Sequence, residues 1–142
     1  MRSAGGDRRT VHVRNGYSFE TDRLDRTRGG EGDLHLGRGS SRSRRAQRQA
    51  GGPDRRVGDD GGYYIAHRFN GPADGFNHFA QNAQFNRGAY RALEDSWARA
   101  LREGKSVHVR ITPDYVGASR RPSSITVEWT VNGAPYKRTF PN

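Results

Sequence analysis

Residues 87–103 read RGAYRALEDSWARALRE, and within them Tyr90, Leu93, Trp97 and Leu101 follow one another at steps of three, four and four. That spacing puts four large apolar side chains on one stripe of an α-helix, which Gly104 ends. Asp95, Arg99 and Glu103 stand four apart and pair on the wet side, for a few tenths of a kcal/mol each. On both sides of this helix the period drops to two. Behind it, Val107, Val109 and Ile111 alternate with polar residues, as do Ile125, Val127, Trp129 and Val131. Asn132-Gly133 then supplies a two-residue hairpin turn leading to a strand over Tyr136 to Phe140. Ahead of it, Val11 and Val13, Asn15-Gly16, and Tyr17 and Phe19 read as a first hairpin. A short strand is expected over residues 33–36 after a break at Arg28-Gly29-Gly30, and another over residues 63–66 after Asp59-Asp60-Gly61-Gly62. Strands, one long central helix and more strands make an α+β domain with a mainly antiparallel sheet.

The 142 residues leave room for one core. No apolar run approaches the roughly 18 residues that cross a bilayer, and the arginines of MRSAGGDRR have no apolar stretch behind them. Without cysteine there is no disulfide framework, no thiolate nucleophile and no Cys-type zinc site. The net charge of +10 suits a polyanionic partner, with nucleic acid first. Of the 25 basic residues only Lys105 and Lys137 are lysines. Arginine is the better phosphate clamp, and a GC-rich genome gives the same skew. Seven arginines crowd residues 38–56 against the single acid Asp54, with no large apolar residue between Leu36 and Val57. Such a stretch cannot bury itself and reads as a mobile basic loop or a poorly packed helix, serving either as a solvated linker or as a phosphate-tracking segment.

Nucleophile-elbow, phosphate-loop and His-pair zinc signatures are missing, which removes the commonest hydrolase and nucleotide-binding readings. Amides, acids and arginines concentrate instead in DDGGYYIAHRFNGP (residues 59–72) and FNHFAQNAQFNRGAYRALED (residues 76–95). Oxygen donors of this kind suit a hard cation such as Mg²⁺, which keeps several waters and needs few protein ligands.

From Tyr17 onward the order of blocks YSFETDRLDR, AQRQAGGPDRRVGDDGG, FNGP, NHFAQNAQFNRGAYRALEDSWARAL and GKSVHVRITPDY with SRRPSSITVEW resembles the DNA/RNA non-specific endonuclease family, of the ββα-metal superfamily, in the form found as C-terminal toxin domains of bacterial polymorphic toxins. The resemblance implies a ββα-metal core over residues 17–142, with residues 1–16 as a partly flexible N-terminal segment. It implies Mg²⁺ or Mn²⁺ as cofactor, DNA and also RNA as substrate, and an acidic immunity protein as partner. It further implies a domain of a secreted toxin acting in the target-cell cytoplasm; a stand-alone cytoplasmic protein is equally compatible with the sequence. In the family an Asn at the helix start holds the metal, a Glu further along orients its waters, and a His after the DDGG turn takes a proton from the attacking water. The first two fall on Asn86 and Glu94. Eight residues of helix span ~12 Å, so Glu94 acts through a water. Asp60, Asn77 and Gln81 stand as supporting polar residues, and Arg55, Arg56, Arg68, Arg87 and Arg91 as phosphate binders.

At the position of the His this chain has Tyr63. A phenol of pKa near 10 is about 0.1% ionised at pH 7, a loss of roughly three orders of magnitude in free base relative to imidazole. His67 lies four residues on, ~13 Å away along an extended strand. His78, in the loop before the helix, is therefore the expected stand-in, and the expected function is an attenuated nuclease, with a non-cutting nucleic-acid-binding module and an immunity-protein docking domain as alternatives. Read singly, Asn86 is a helix N-cap, Glu94 a surface partner of Arg91, and Gly61-Gly62 a turn. Only the joint spacing lifts them above those readings.

Overall fold

A computed structural model describes residues 8–37 and 42–142. Its main layer is a six-stranded antiparallel sheet in the order β1-β2-β3-β6-β7-β8, formed by β1 (Thr10–Arg14), β2 (Tyr17–Thr21), β3 (Thr27–Asp33), β6 (Val107–Asp114), β7 (Ser124–Val131) and β8 (Ala134–Pro141). Both expected hairpins form. Asn15 and Gly16 take φ of 55° and 86°, and Asn132 and Gly133 take 48° and 83°, the pair of positive angles that a two-residue turn between twisted strands requires. β1 belongs to the segment ahead of residue 17 and is hydrogen-bonded to β2 from Thr10↔Thr21 to Arg14↔Tyr17.

One sheet face carries the core. Val107, Val109, Ile111, Ile125 and Val127 are fully buried, in register across β6 and β7, and the helical stripe packs with them through Tyr90 and Trp97. Trp97 meets Trp129 edge to face at 6.0 Å between ring centroids. Each such side chain contributes about 1.5–3 kcal/mol by leaving water, so this layer holds the helix against the sheet.

Three elements depart from the sequence reading. β3 runs straight through Arg28-Gly29-Gly30 and ends at Asp33, where a break followed by a strand was expected. The glycines make room for β2: a Cβ on Gly30 would lie 3.0 Å from the Phe19 ring and one on Gly32 2.6 Å from Tyr17. The second strand expected at 63–66 ends at Tyr63, because β4 is Asp60–Tyr63, and Gly61 and Gly62 are strand residues within it. The long helix starts earlier than Arg87. Asn82 caps it by accepting from the Phe85 N–H, α2 (Ala83–Phe85) leads into a π-helical turn (Asn86–Tyr90), and α3 (Arg91–Arg102) follows.

Of the basic stretch at 38–56, residues 38–41, and with them Arg38, lie outside the described residues. The rest contains α1 (Arg44–Gln49), capped by Ser43 and without a buried side chain, and a short 3₁₀ turn (Gly52–Asp54).

A second, two-stranded sheet pairs β4 with β5 (His78–Gln81), Asp60 opposite Gln81 and Tyr63 opposite His78. With the helix that follows it makes a ββα unit. Its glycines are required by close approach: a Cβ on Gly61 would collide with the Gln47 backbone of α1, and one on Gly62 with the Gln81 amide. β4 is thus pressed between α1 and the β5 side chains, which fixes what its two ends present.

Candidate active site

Between β4, the segment after it and the π-turn lies an open cavity of about 310 Å³. Tyr63, Arg68, Asn86, Arg87, Arg91 and Glu94 all line it, so the structure gathers six of the expected residues around one concavity. Arg42, Gln47, Gly61, Gly62, Ala66 and His67 complete the wall.

Asn86 is inside the π-turn and is not a cap; that role falls to Asn82. Its amide nitrogen donates to Asp60 Oδ2 at 2.8 Å. An ionised carboxylate only accepts, so this bond fixes which way the amide faces and leaves the Asn86 oxygen as the lobe for another partner. Asp60 also receives Arg87 through Nε at 3.1 Å and Nη2 at 2.8 Å. One strand-end carboxylate therefore positions two consecutive helix residues.

Glu94 is buried, contrary to its reading as a surface partner of Arg91, and among the described residues it has no ion pair. Burial pushes its carboxyl up to about 7, partly opposed by the charges of Arg68 and Arg91. The Tyr63 hydroxyl is enclosed without a hydrogen-bond partner, and burial raises the phenol against the pull of Arg42. Even less of Tyr63 is therefore ionised at neutral pH than of a phenol in water.

His78 does not join this cavity. Its ring packs obliquely on that of Tyr63, its cross-strand partner, at 4.4 Å, and it lines a separate concavity of about 740 Å³ with His12, Asp74 and Tyr115. Nδ1 donates to the Asp74 carbonyl at 2.9 Å, and burial lowers the imidazole, so it is neutral with Nε2 unpartnered. His78 thus lines a different concavity from Asn86 and Glu94, and not the one where a stand-in base was expected.

His67 lines the same cavity as Tyr63. The ~13 Å separation holds for an extended chain, whereas β4 stops at Tyr63 and a turn begins at Ala66. Phe69 and Gly71 N–H groups both donate to the Ala66 carbonyl at 3.0 Å, and Asn70 N–H to that of His67 at 2.9 Å. Asn77, fully buried, clamps this turn: its oxygen accepts from Ile65 N–H at 2.9 Å and its nitrogen donates to the Ile65 and Pro72 carbonyls at 2.9 Å. The signal for the turn was present in Phe69-Asn70-Gly71-Pro72, since Asn70 takes φ of 60° and Gly71 has no room for a Cβ beside Ile65.

The remaining residues divide by where their polar groups go. Arg68 binds Asp95 at 2.7 Å, which ties the turn to α3, and Arg91 stays exposed with Asp95 at 3.9 Å. Arg55 spends its guanidinium on the carbonyls of Gln47 (2.6 Å), Arg48 (3.1 Å) and Asp59 (3.0 Å), so it closes the end of α1 and is not available to phosphate. Arg56 is exposed and outside the cavity. Gln81 lies in β5, fully buried against Gly62, and both its amide atoms lack partners. Asp59, next to Asp60, forms a buried two-bond pair with Arg121 at 2.8 and 3.0 Å.

Known proteins resemble this chain in sequence and in fold. Residues 8–133 match the model of the DNA/RNA non-specific endonuclease family. The type VII secretion system protein EssD of Staphylococcus aureus, in strains USA300 and NCTC 8325, is 36% identical over 124 residues, which cover 83% of this chain and 20% of the relative. The chain thus spans about a fifth of the length of these relatives. NucA from Streptococcus agalactiae superposes with a TM-score of 0.67 in its magnesium-bound crystal structure (15% identity, 96% of this chain, 83% of that one). The metal-free NucA structure gives 0.70 (17% identity, 100% and 75%). These likenesses identify the ββα-metal fold, and the family match over most of the sequence fixes the membership: this chain belongs to the DNA/RNA non-specific endonuclease family.

Proposed function

We propose that the chain is a Mg²⁺- or Mn²⁺-dependent endonuclease domain that cuts DNA and RNA with little sequence preference, attenuated by Tyr63, and that it serves as the toxic part of a secreted bacterial effector. The observation that carries this reading is the Asp60-oriented amide of Asn86 sharing a cavity with the buried carboxyl of Glu94 and with arginines.

The donor set fits a hard cation. No group of three or more His, Cys, Asp or Glu side chains suited to a metal occurs among the described residues, which speaks against a zinc-type cage. A single amide oxygen with a carboxylate lining the same cavity suits an ion that retains most of its water. Asn86 would hold the ion directly and Glu94 through a water. Bound there, such an ion neutralises charge growing on the phosphate and the leaving oxygen. The chain's own residues do the rest: Arg68, Arg87 and Arg91 bind the non-bridging oxygens, and Asp60 keeps Asn86 and Arg87 in place. Phosphate contact of this kind fixes the backbone without reading bases, in keeping with a net charge of +10.

Tyr63 favours one second reading, a module of the same fold that grips nucleic acid without cutting it. A supercoiled-plasmid assay separates the two. Nicking with Mg²⁺ that stops with EDTA is expected; binding that persists in EDTA with no nicking at any metal concentration would establish the second reading instead. The similarity to a type VII secretion system protein supports export and, with the basic surface, an acidic immunity protein as partner. Among the described residues no helix is long and apolar enough to cross a membrane.

A further inference from the structure

We propose that His67 is a catalytic residue of this site and supplies the base that Tyr63 cannot. The inference rests on the nuclease reading above and adds the residue that activates the water.

Three titratable groups other than arginine line the cavity: Tyr63, His67 and Glu94. Attack on a phosphodiester at neutral pH needs a proton acceptor within reach of the water. A phenol is almost wholly protonated there, and the Glu94 carboxylate would be the group that holds the ion through a water. Imidazole is the side chain most often used for this step.

Position supports the assignment as well as chemistry. His67 begins a turn held at both ends by rigid structure. The Asn77 amide makes three bonds to the segment, the Tyr17 hydroxyl donates to the Phe69 carbonyl at 2.6 Å, and Arg68 binds Asp95 of α3. Phe69 is fully buried within the turn. A half-buried imidazole on such a clamp is presented to the cavity from a fixed backbone, which a general base requires. Asn77 therefore acts as a positioning residue.

The step balances as follows. A ring nitrogen of His67 takes a proton from water while the water oxygen bonds to phosphorus. The bond from phosphorus to the sugar oxygen breaks with its electron pair, and that oxygen takes a proton from solvent. The imidazolium then returns its proton to solvent, and the products are a phosphomonoester end and a hydroxyl end.

Plasmid nicking at saturating Mg²⁺ tests this with the native chain, His67→Ala and His67→Gln, each also carrying Tyr63→His. The side-chain change leaves the Asn70 N–H to His67 carbonyl bond intact, and His67→Gln keeps much of the volume should His67→Ala fold poorly. His108→Gln, on the outer sheet face, is the control. Both His67 variants are expected to lower kcat about 100-fold with KM for DNA within about twofold. Added imidazole is expected to recover at least about tenfold in His67→Ala. In the Tyr63→His background the loss is expected to shrink to under about threefold, because two bases serving one step are not additive. Native nicking undiminished by either substitution, or a loss that neither imidazole nor Tyr63→His alters, overturns the role of His67 and leaves the nuclease reading standing. Nicking by Tyr63→His but not by the native chain also overturns it. Absence of nicking from both overturns the nuclease reading itself.

Discussion

Asp60 Oδ2 accepts the amide nitrogen of Asn86 at 2.8 Å, and through that bond the end of a short strand sets the direction of a helix side chain. Asp60→Ala frees the amide to rotate and releases Arg87 as well. Mn²⁺ affinity and Mg²⁺-supported nicking are expected to fall about 10- to 100-fold, the usual cost of losing a group that orients a metal ligand. Calorimetric Mn²⁺ titration checks it. Unchanged affinity would mean that Asn86 is oriented by its own helix alone.

Glu94 sets a pH dependence of stability in the metal-free protein. Its carboxyl is raised to about 7 by burial, whereas the unfolded chain ionises near the ordinary 4.5. A raised acid favours the folded state least when charged, so stability falls as pH climbs from about 4.5 towards 7 and stays low above it. Glu94→Gln is therefore expected to stabilise the chain at pH 8 by up to about 3 kcal/mol, with little effect at pH 4, while nicking is lost. Urea unfolding in EDTA at both pH values measures this. Equal stability of the two proteins at pH 8 would contradict it.

The Asp59–Arg121 pair has the opposite sign. Both side chains are 4% exposed, and the hydrogen bonds and charge of Arg121 hold the Asp59 carboxyl below its usual value in spite of burial. Its contribution is present above the unfolded pKa and is lost as pH falls through the folded one. Arg121 also donates to the Asn142 carbonyl at 2.5 Å, so the pair joins the start of β4 to the last residues of the chain. Arg121→Met leaves a buried carboxylate unpaired and is expected to cost about 3–5 kcal/mol at pH 7, read from urea midpoints. Asp59→Asn with Arg121→Met together should recover part of that loss.

Gly62→Ala puts a methyl group onto the Gln81 amide. Overpacking of this kind costs about 1–3 kcal/mol, and because β4 cannot retreat from α1 it is expected to shift Tyr63 and lower nicking as well. Gly62→Ala with Gln81→Ala together should restore folding. Failure of the pair to do so would place the requirement for glycine elsewhere.

The parts of this molecule legible in its sequence are those where one physical rule acts alone. The stripe of Tyr90 and Trp97 and the two Asn-Gly turns are of this kind. Glycine misled where it serves a neighbour: Gly30 and Gly32 yield space to Phe19 and Tyr17, and Gly61 and Gly62 to α1 and Gln81, contacts that no local pattern encodes. The helix start was misplaced because two asparagines compete for the cap and only the fold shows that Asn82 takes it, which frees Asn86 for Asp60. His67 falls outside a strand reading of residues 63–66 because β4 ends at Tyr63 and the turn from Ala66 brings His67 to the cavity wall.

Mn²⁺ bound to the native chain and to Asn86→Ala, followed by electron paramagnetic resonance, tests most directly whether one divalent ion sits at the π-turn. A single class of site in the native protein, weakened at least about tenfold by the substitution, is the expected result. Equal binding by both proteins, or none by the native chain, would contradict a metal-assisted nuclease built on Asn86.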